Sequence, residues 1–258
     1  MKTLRHIFLC IVTVAFCVIL FVACTEKKPL SILVLYEGAG HKEFCDATVP
    51  WLEKLGEENG FTTTMIKAPD CINDAYLSDF DVFIQLDYPP YRWSDENKAA
   101  FEKAIDNGTI GYIGMHHATL LGEFDGFPMW EWFGDFMGGV RFKDYIPELS
   151  DGMLVTENTP HPVLTGIEKG FVIPDDEWYT YDVSPRVHKG IKVLATVDEG
   201  SYSVDTQVKM GDHPVIWTNT AKKARNVYFQ FGHSPKLVDM PEYNKLMLNS
   251  IFWAGQHN

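Results

Sequence analysis

The sequence is poor in positive charge and carries little cysteine beyond its first 24 residues. Its 258 residues include 22 Lys and Arg against 35 Asp and Glu, which gives a net charge of −13. Such an acidic chain repels phosphate backbones and anionic lipids, and no cluster of Lys or Arg interrupts this charge. We therefore expect no nucleic-acid partner.

Only two cysteines, Cys45 and Cys71, lie in the part of the chain that is expected to fold. In an oxidising compartment such a pair can form a disulfide, but spacing alone does not show that the two Cβ atoms approach each other. Two buried free thiols are the alternative. The sequence also shows no internal repeat and no linker, so residues 31–258 are predicted to form a single domain.

The amino terminus has the pattern of a signal peptide. Residues 1–5 are basic, and residues 7–22 form an apolar run that is too short and too close to the terminus for a membrane span. The run ends in Phe21-Val22-Ala23-Cys24, which resembles a bacterial lipoprotein cleavage box with Phe21 in the place of the usual Leu. We therefore predict a signal peptide over residues 1–23, lipidation at Cys24 and a short tether over residues 24–30.

This leader predicts a location in the cell envelope or periplasm, with the lipid as the only contact with the membrane. A cleaved secretory peptide without lipid is the alternative.

Short apolar runs alternate with helical patterns in the first half of the chain. Strands are predicted at residues 31–36, 61–67 and 81–86, with a helix at 44–59 and a second helix between Ser94 and Gly108. This rhythm predicts an α/β fold with a doubly wound, mainly parallel sheet. Later runs at 152–157, 170–174 and 191–198 predict a partly antiparallel extension. Strands at 212–217 and 225–231 and a helix at 241–254 complete the chain.

Residues 109–119 have the sequence of a strand that turns sharply into a helix. His116 is the central residue of this turn, and Gly114 and Ala118 supply small neighbours. We expect a strained backbone at His116 and a side chain that stands above the carboxyl edge of the sheet. An imidazole replaces the Ser or Cys nucleophile of such turns, so nucleophilic acyl transfer is not expected here. An ordinary strand end with two unrelated histidines is the alternative. His116 and the adjacent His117 are predicted to point apart.

Polar side chains follow several predicted strands. Ligands of open α/β sheets bind outside the carboxyl ends of the strands, where these side chains should meet. The candidates are His41, Asp87, His116, His117, Glu177, Tyr179 and His233. Imidazoles, carboxylates and a phenol together suit a sugar or polyol. The aromatic segment 129–136 is better explained by core packing than by sugar stacking.

The same histidines, with Glu177, are also suitable ligands for a divalent metal. No His-x-His or His-Glu-x-x-His spacing is present. The metal signal is therefore weak, and the sequence leaves the cofactor open.

Several of these segments, taken together, resemble the ThuA-like (trehalose utilisation) family. They are residues 111–119, 176–179, 213–217, 225–233 and 253–254, and the resemblance runs from about residue 32 to residue 254. It implies a flavodoxin-like, class I glutamine amidotransferase-like fold that lacks the catalytic cysteine of true amidotransferases. It also implies a link to disaccharide metabolism, particularly to 3-keto sugars.

The chain departs from many relatives at two places, Lys222-Lys223-Ala224 before Arg225 and Lys143-Asp144-Tyr145. The second departure replaces a histidine, which puts in doubt any ligand contact from that loop.

These observations favour an enzyme that acts on a disaccharide, glycoside or 3-keto sugar and that is not a glutaminase. In this interpretation His116 is the acid or base and Glu177 is its catalytic partner. The substrate-binding residues are His41, Asp87, His117, Tyr179 and His233. A non-catalytic carbohydrate-binding lipoprotein and a structural subunit on an amidotransferase-like scaffold are the alternatives. The sequence leaves homo-oligomerisation open.

Overall fold

The structure is a computed structural model that describes residues 28–37, 40–167 and 170–256. The predicted signal peptide and the predicted lipidation site, Cys24, lie outside the described residues. Within those residues, no helix combines the length and the apolar character that crossing a membrane requires.

The described residues form eleven strands and five α-helices. The strands are β1 Leu30–Tyr36, β2 Phe61–Ile66, β3 Val82–Leu86, β4 Gly111–Met115, β5 Phe142–Tyr145, β6 Ser150–Thr156, β7 Gly170–Asp176, β8 Tyr179–Tyr181, β9 Ile191–Asp198, β10 Pro214–Asn219 and β11 Asn226–Phe229. The helices are α1 Lys42–Asn59, α2 Asp74–Leu77, α3 Asp95–Asn107, α4 Glu131–Phe136 and α5 Pro241–Ala254.

Nine of the strands form one sheet in the order β2-β1-β3-β4-β11-β10-β9-β6-β7. The first five strands run parallel, and the remaining four extend the sheet by antiparallel pairing. The predicted α/β fold, with a doubly wound parallel part and an antiparallel extension, is therefore confirmed. Strands β5 and β8 form a separate antiparallel pair that the sequence did not predict.

The central strands are apolar because both faces of the sheet are covered. Every residue of β3 and β4 is buried. On one side the sheet packs against α1 and α5 through residues such as Phe44 and Ile251. On the other side it packs against α3 and α4 through residues such as Phe101 and Phe133. Parallel strands buried in this way have continuous apolar sequences.

Helix α3 has the boundaries that its sequence predicts. The Ser94 side chain accepts a hydrogen bond from the backbone N–H of Asn97, which caps the first turn. Gly108 ends the helix with a φ of 71°, a left-handed conformation that glycine adopts without steric cost. This helix returns the chain to the sheet, where β4 lies between β3 and β11.

The ends of β3 and β4 share an unusual backbone conformation. Asp87 follows β3 with a φ of 54°, and His116 follows β4 with a φ of 41°. Residues other than glycine rarely adopt a backbone conformation with positive φ, and such residues are concentrated at functional sites. The strained backbone expected at His116 is present. The helix predicted after this strand is a short 3₁₀ helix, His116–Thr119.

Candidate active site

His116 is fully buried and is held through both ring nitrogens. Its Nδ1 lies 2.8 Å from the carbonyl oxygen of Gln230, which can only accept, so Nδ1 carries the hydrogen. Its Nε2 then has a free lone pair and lies 3.0 Å from the hydroxyl of Tyr179. Burial lowers the pKa of His116 to about 4, so the ring is neutral at pH 7.

Glu177 contacts the same nitrogen of His116 from the side nearer to solvent. Its Oε2 lies 3.3 Å from Nε2, and its side chain is 16% exposed, whereas that of His116 is 0% exposed. Burial raises the pKa of Glu177, but the adjacent His116, the Tyr179 hydroxyl and His233 outweigh this effect, and the pKa lies below its usual value. An ionised carboxylate and a neutral imidazole thus face each other, and this pair can accept one proton between them.

His117 lies between two carboxylates and a second histidine. Its Nδ1 is 3.1 Å from Oδ1 of Asp87 and 3.6 Å from Oε2 of Glu37. Its Nε2 is 2.8 Å from Nε2 of His41. Burial lowers the pKa of His117, but the attraction of Asp87 and Glu37 outweighs this effect and raises the pKa above its usual value.

His41 and His233 complete the cluster at its solvent side. The ring centroid of His41 lies 4.9 Å from that of His116, 4.3 Å from that of His117 and 4.2 Å from that of His233. Burial and the neighbouring imidazoles lower the pKa of His41 to about 2. Burial also lowers the pKa of His233. Only His117 among these four rings therefore has a raised pKa.

The structure thus brings together all seven predicted residues of the site, but it corrects two expectations. His116 and His117 do not point apart, because their rings stack at 5.1 Å with an interplanar angle of 21°. Neighbouring side chains point to opposite sides only along a strand. Here the left-handed backbone at His116 and the 3₁₀ helix that follows replace the strand. His116 also does not stand clear of the sheet, because the ring of Tyr179 covers it at a centroid distance of 4.4 Å.

Two residues that the sequence pattern did not single out hold the site together. Asp176 is fully buried and accepts hydrogen bonds from the backbone N–H groups of Glu177, Gly232 and His233. Gln230 fixes the Nδ1 hydrogen of His116 and donates to the carbonyl of Tyr179. Both are polar residues at the ends of apolar strands, which is the signal that would have identified them.

A cavity of about 450 Å³ adjoins the cluster. Its lining includes His41, Phe44, Leu149, Asp175 and His233. This volume lies within the range of about 300–1,000 Å³ that small-molecule sites occupy. The lining includes neither His116 nor Glu177, so a ligand in the cavity meets the cluster first through His41 and His233.

The two cysteines in the described part of the chain are both free. Cys45 is buried, and burial raises the pKa of its thiol to about 12. A thiol with so high a pKa is a poor nucleophile at neutral pH. Of the two alternatives for this pair, the structure supports free thiols over a disulfide, although Cys71 is only partly buried.

The fold and the sequence match known proteins along most of the chain. A model of the ThuA family, described as trehalose utilisation, matches residues 31–254. The crystal structure of a ThuA-like protein from Bacteroides uniformis has 26% sequence identity and a TM-score of 0.78, covering 91% of this chain and 95% of that one. A ThuA-like protein from Parabacteroides merdae has 16% identity and a TM-score of 0.66, covering 89% and 91%.

The glutaminase domain of Trypanosoma brucei CTPS, solved with bound acivicin, shares the fold. Its identity is 12% and its TM-score is 0.50, with 86% of this chain and 93% of that chain covered. The predicted glutamine amidotransferase-like fold is therefore confirmed. No curated protein matches the sequence significantly.

Proposed function

Because the chain belongs to the ThuA (trehalose utilisation) family, we propose that it is an enzyme that acts on a disaccharide, glycoside or 3-keto sugar by proton transfer. The observation that carries this proposal is the contact of 3.3 Å between Nε2 of His116 and Oε2 of Glu177 at the carboxyl end of the sheet. Family membership supports a role related to trehalose utilisation, and the geometry supports the chemistry.

Of this pair, Glu177 is the residue that would contact the substrate, because its side chain is partly exposed and that of His116 is fully buried. Glu177 does not itself line the cavity, but it interacts with His233, which does. A ketone acidifies the C–H bonds beside it, so a carboxylate can remove such a proton and leave an enolate. The proton bound by Glu177 would be shared with Nε2 of His116, whose Nδ1 hydrogen is fixed on the Gln230 carbonyl. The pair could then return this proton to carbon or to a leaving oxygen. General acid–base catalysis of this kind contributes about 10²–10⁴-fold to a rate.

Tyr179 would keep its proton throughout this cycle. Burial, followed by the charge of Glu177, raises its pKa well above the usual value. Its hydroxyl lies 3.0 Å from Nε2 of His116 and can orient the ring or donate to a substrate oxygen. The histidines at the cavity, His41 and His233, would bind the hydroxyl groups of a sugar, for which a mixed lining of polar groups and apolar side chains is suitable.

Nucleophilic acyl transfer is not part of this proposal. His116 occupies the sharp turn after β4 in which the amidotransferases that this family resembles carry their cysteine, and the described cysteines are not in that turn. We also propose that the protein is anchored in the cell envelope through Cys24, which rests on the amino-terminal sequence pattern alone.

The test is the turnover of 3-keto-disaccharides by the purified protein. We expect the wild type to convert such a substrate and Glu177→Gln to lose about 10²–10⁴-fold in kcat/KM. The exposed Glu148, which also changes the charge by one when replaced, gives the matched control Glu148→Gln, which should retain activity. Binding of the sugar without any turnover would contradict the enzyme and support the carbohydrate-binding protein.

A further inference from the structure

Four side chains at the carboxyl ends of β3 and β4 lie close enough together to hold a metal ion. His41, Asp87, His116 and His117 each offer one ligand atom, and these atoms all lie within 4.8 Å of one another. Ligands at about 2.0–2.1 Å from a cation can be separated by at most roughly 4.2 Å. The upper limit of 4.8 Å exceeds this span by roughly half an ångström, so a small closing of the group is enough for one ion.

Of these four residues, His116 already has partners for both ring nitrogens. Nδ1 meets the carbonyl of Gln230, and Nε2 meets Tyr179 and Glu177. Among the remaining three residues, His41, Asp87 and His117, the Nδ1 of His117 and both oxygens of Asp87 lack a hydrogen bond of regular geometry within the described residues. Metal binding by these three would leave the proton-transfer pair intact.

Asp87 is a buried carboxylate with few hydrogen-bond donors among the described residues. Its side chain is 0% exposed, and within residues 28–37, 40–167 and 170–256 neither oxygen has a hydrogen bond of regular geometry, although the backbone N–H of His117 favours its charged form. Oδ1 is 3.1 Å from Nδ1 of His117, but the geometry is not that of a hydrogen bond. Burying a carboxyl group without good hydrogen-bond partners is unfavourable, and buried carboxylates in proteins are paired or bind metals. Oδ1 thus faces His117, a member of the histidine cluster.

His117 lies between His41 and Asp87 and contacts both. Its Nε2 faces Nε2 of His41 at 2.8 Å, and its Nδ1 faces Asp87. Two imidazole nitrogens that face each other can share a single hydrogen, and this is the metal-free alternative. When neither nitrogen carries a hydrogen, both can instead bind a cation that lies to one side of the line between them, and imidazole and carboxylate are the ligands of many catalytic metal sites.

We propose that His41, His117 and Asp87 bind one divalent transition-metal cation of the Zn²⁺ or Mn²⁺ class. Two histidines and one carboxylate leave coordination positions open, as catalytic sites require and structural sites do not. The nearby Glu37, 3.6 Å from His117, adds negative charge that favours a cation. The open positions would face the cavity that His41 lines. The inference goes beyond the proposed function, since the cation would bind in the absence of any sugar.

The experiment measures metal binding by the purified protein, prepared without a histidine tag and stripped with a chelator. Zn²⁺, Mn²⁺ and Mg²⁺ are titrated separately by calorimetry, and bound Co²⁺ is followed by its visible absorption. We expect one equivalent of Zn²⁺ or Mn²⁺ per chain and weaker binding of Mg²⁺, which prefers oxygen ligands. His41→Ala and Asp87→Asn should each weaken binding by at least about 10-fold, the lower bound found when partners of a metal site are removed.

Two control variants should leave metal binding unchanged. His188→Ala removes a histidine outside the cluster, whose ring contacts Asp135, and should bind the metal normally. Glu177→Gln should also bind normally, so failure of the proposed acid–base function and failure of the metal site give different results. Asp87→Asn keeps the volume and tolerates the left-handed backbone at this position, and its circular dichroism shows whether the fold is retained. Absence of a bound transition metal, or binding that His41→Ala and Asp87→Asn leave unchanged, would overturn the inference.

Discussion

Nε2 of His116 lies 3.3 Å from Oε2 of Glu177, although the two residues follow different strands of the sheet. His116 is at the end of β4, and Glu177 directly follows β7, at the far edge of the sheet. Asp176 links the segment after β7 to the segment after β11, because its carboxylate accepts hydrogen bonds from the backbone N–H groups of Glu177, Gly232 and His233.

The difference in burial within this pair predicts different effects on stability. His116→Ala removes a fully buried ring and leaves the Gln230 carbonyl and the Tyr179 hydroxyl without this partner. We expect a loss of about 1–3 kcal/mol for each unsatisfied group, and each kcal/mol should lower the melting temperature by roughly 2–4 °C. Glu177→Gln keeps the shape and one acceptor and should cost about 1 kcal/mol or less. Thermal melting of the two variants tests this order, and equal losses would contradict it.

Glutaminase activity should be absent. The turn after β4 carries His116, and Cys45 is buried with a raised pKa, so no described thiol is suited to attack an amide. Ammonia release from glutamine by the purified protein is the measurement. The control is alkylation of Cys45 and Cys71, which should not change the activity on sugars. Ammonia release that alkylation abolishes would show that amidotransferase chemistry is retained.

The parallel half of the sheet and most of its helices could be predicted from the sequence, and the reason is physical. Strands such as β3 and β4 are apolar along their whole length because both faces are covered, and α3 has a serine cap and a glycine stop. The short strands β5 and β8 were missed because β5 is largely exposed and has no apolar periodicity.

The members of the candidate site could be predicted, but their arrangement could not. Each residue is a polar side chain at a strand end, which the sequence shows. The stacking of His116 on His117 depends on a positive φ at His116, and the covering of His116 depends on Tyr179 in the unpredicted strand β8. Long-range contacts of this kind leave no local pattern in the sequence.

Glu199 should stabilise the protein in a pH-dependent way from outside the site. It accepts hydrogen bonds from Nδ1 of His213 at 2.9 Å and from the N–H groups of Met210 and Gly211. Burial raises its pKa, but these hydrogen bonds outweigh this effect and lower the pKa below its usual value. His213 in turn lies 2.8 Å from the carbonyl of Tyr179.

A carboxylate with a lowered pKa contributes stability that is present above its unfolded pKa and is lost as the pH falls through its folded pKa. Glu199→Gln should therefore cost about 1.5–3 kcal/mol at pH 7, the range for hydrogen bonds to charged groups. The difference from the wild type should shrink as the pH falls below about 4.3, the ordinary pKa of glutamate, towards the lowered pKa of Glu199 in the folded state. The measurement is the free energy of unfolding by denaturant, for the wild type and Glu199→Gln, at pH 7 and at an acid pH. A difference between the two proteins that does not change with pH would refute this role of Glu199.

Lipidation at Cys24 is a prediction from the sequence that can be tested in cells. A fatty-acid analogue should label the wild type and not Cys24→Ser, because the thiol of this residue is the expected attachment point. Cys71→Ser, which removes a cysteine from the folded part, is the matched control and should remain labelled. Release of both the wild type and Cys24→Ser without detergent would instead support a cleaved secretory peptide.

The central claim is that His116 and Glu177 handle one proton as a unit, and a double-mutant cycle on kcat/KM tests it most directly. Wild type, His116→Ala, Glu177→Gln and the double variant are compared on a 3-keto-disaccharide, at a temperature at which circular dichroism shows all four to be folded. We predict that the double variant is hardly slower than the worse single variant, with an interaction energy of about 1–3 kcal/mol. Losses that add to within about 0.5 kcal/mol, as they do for independent sites, would contradict the account.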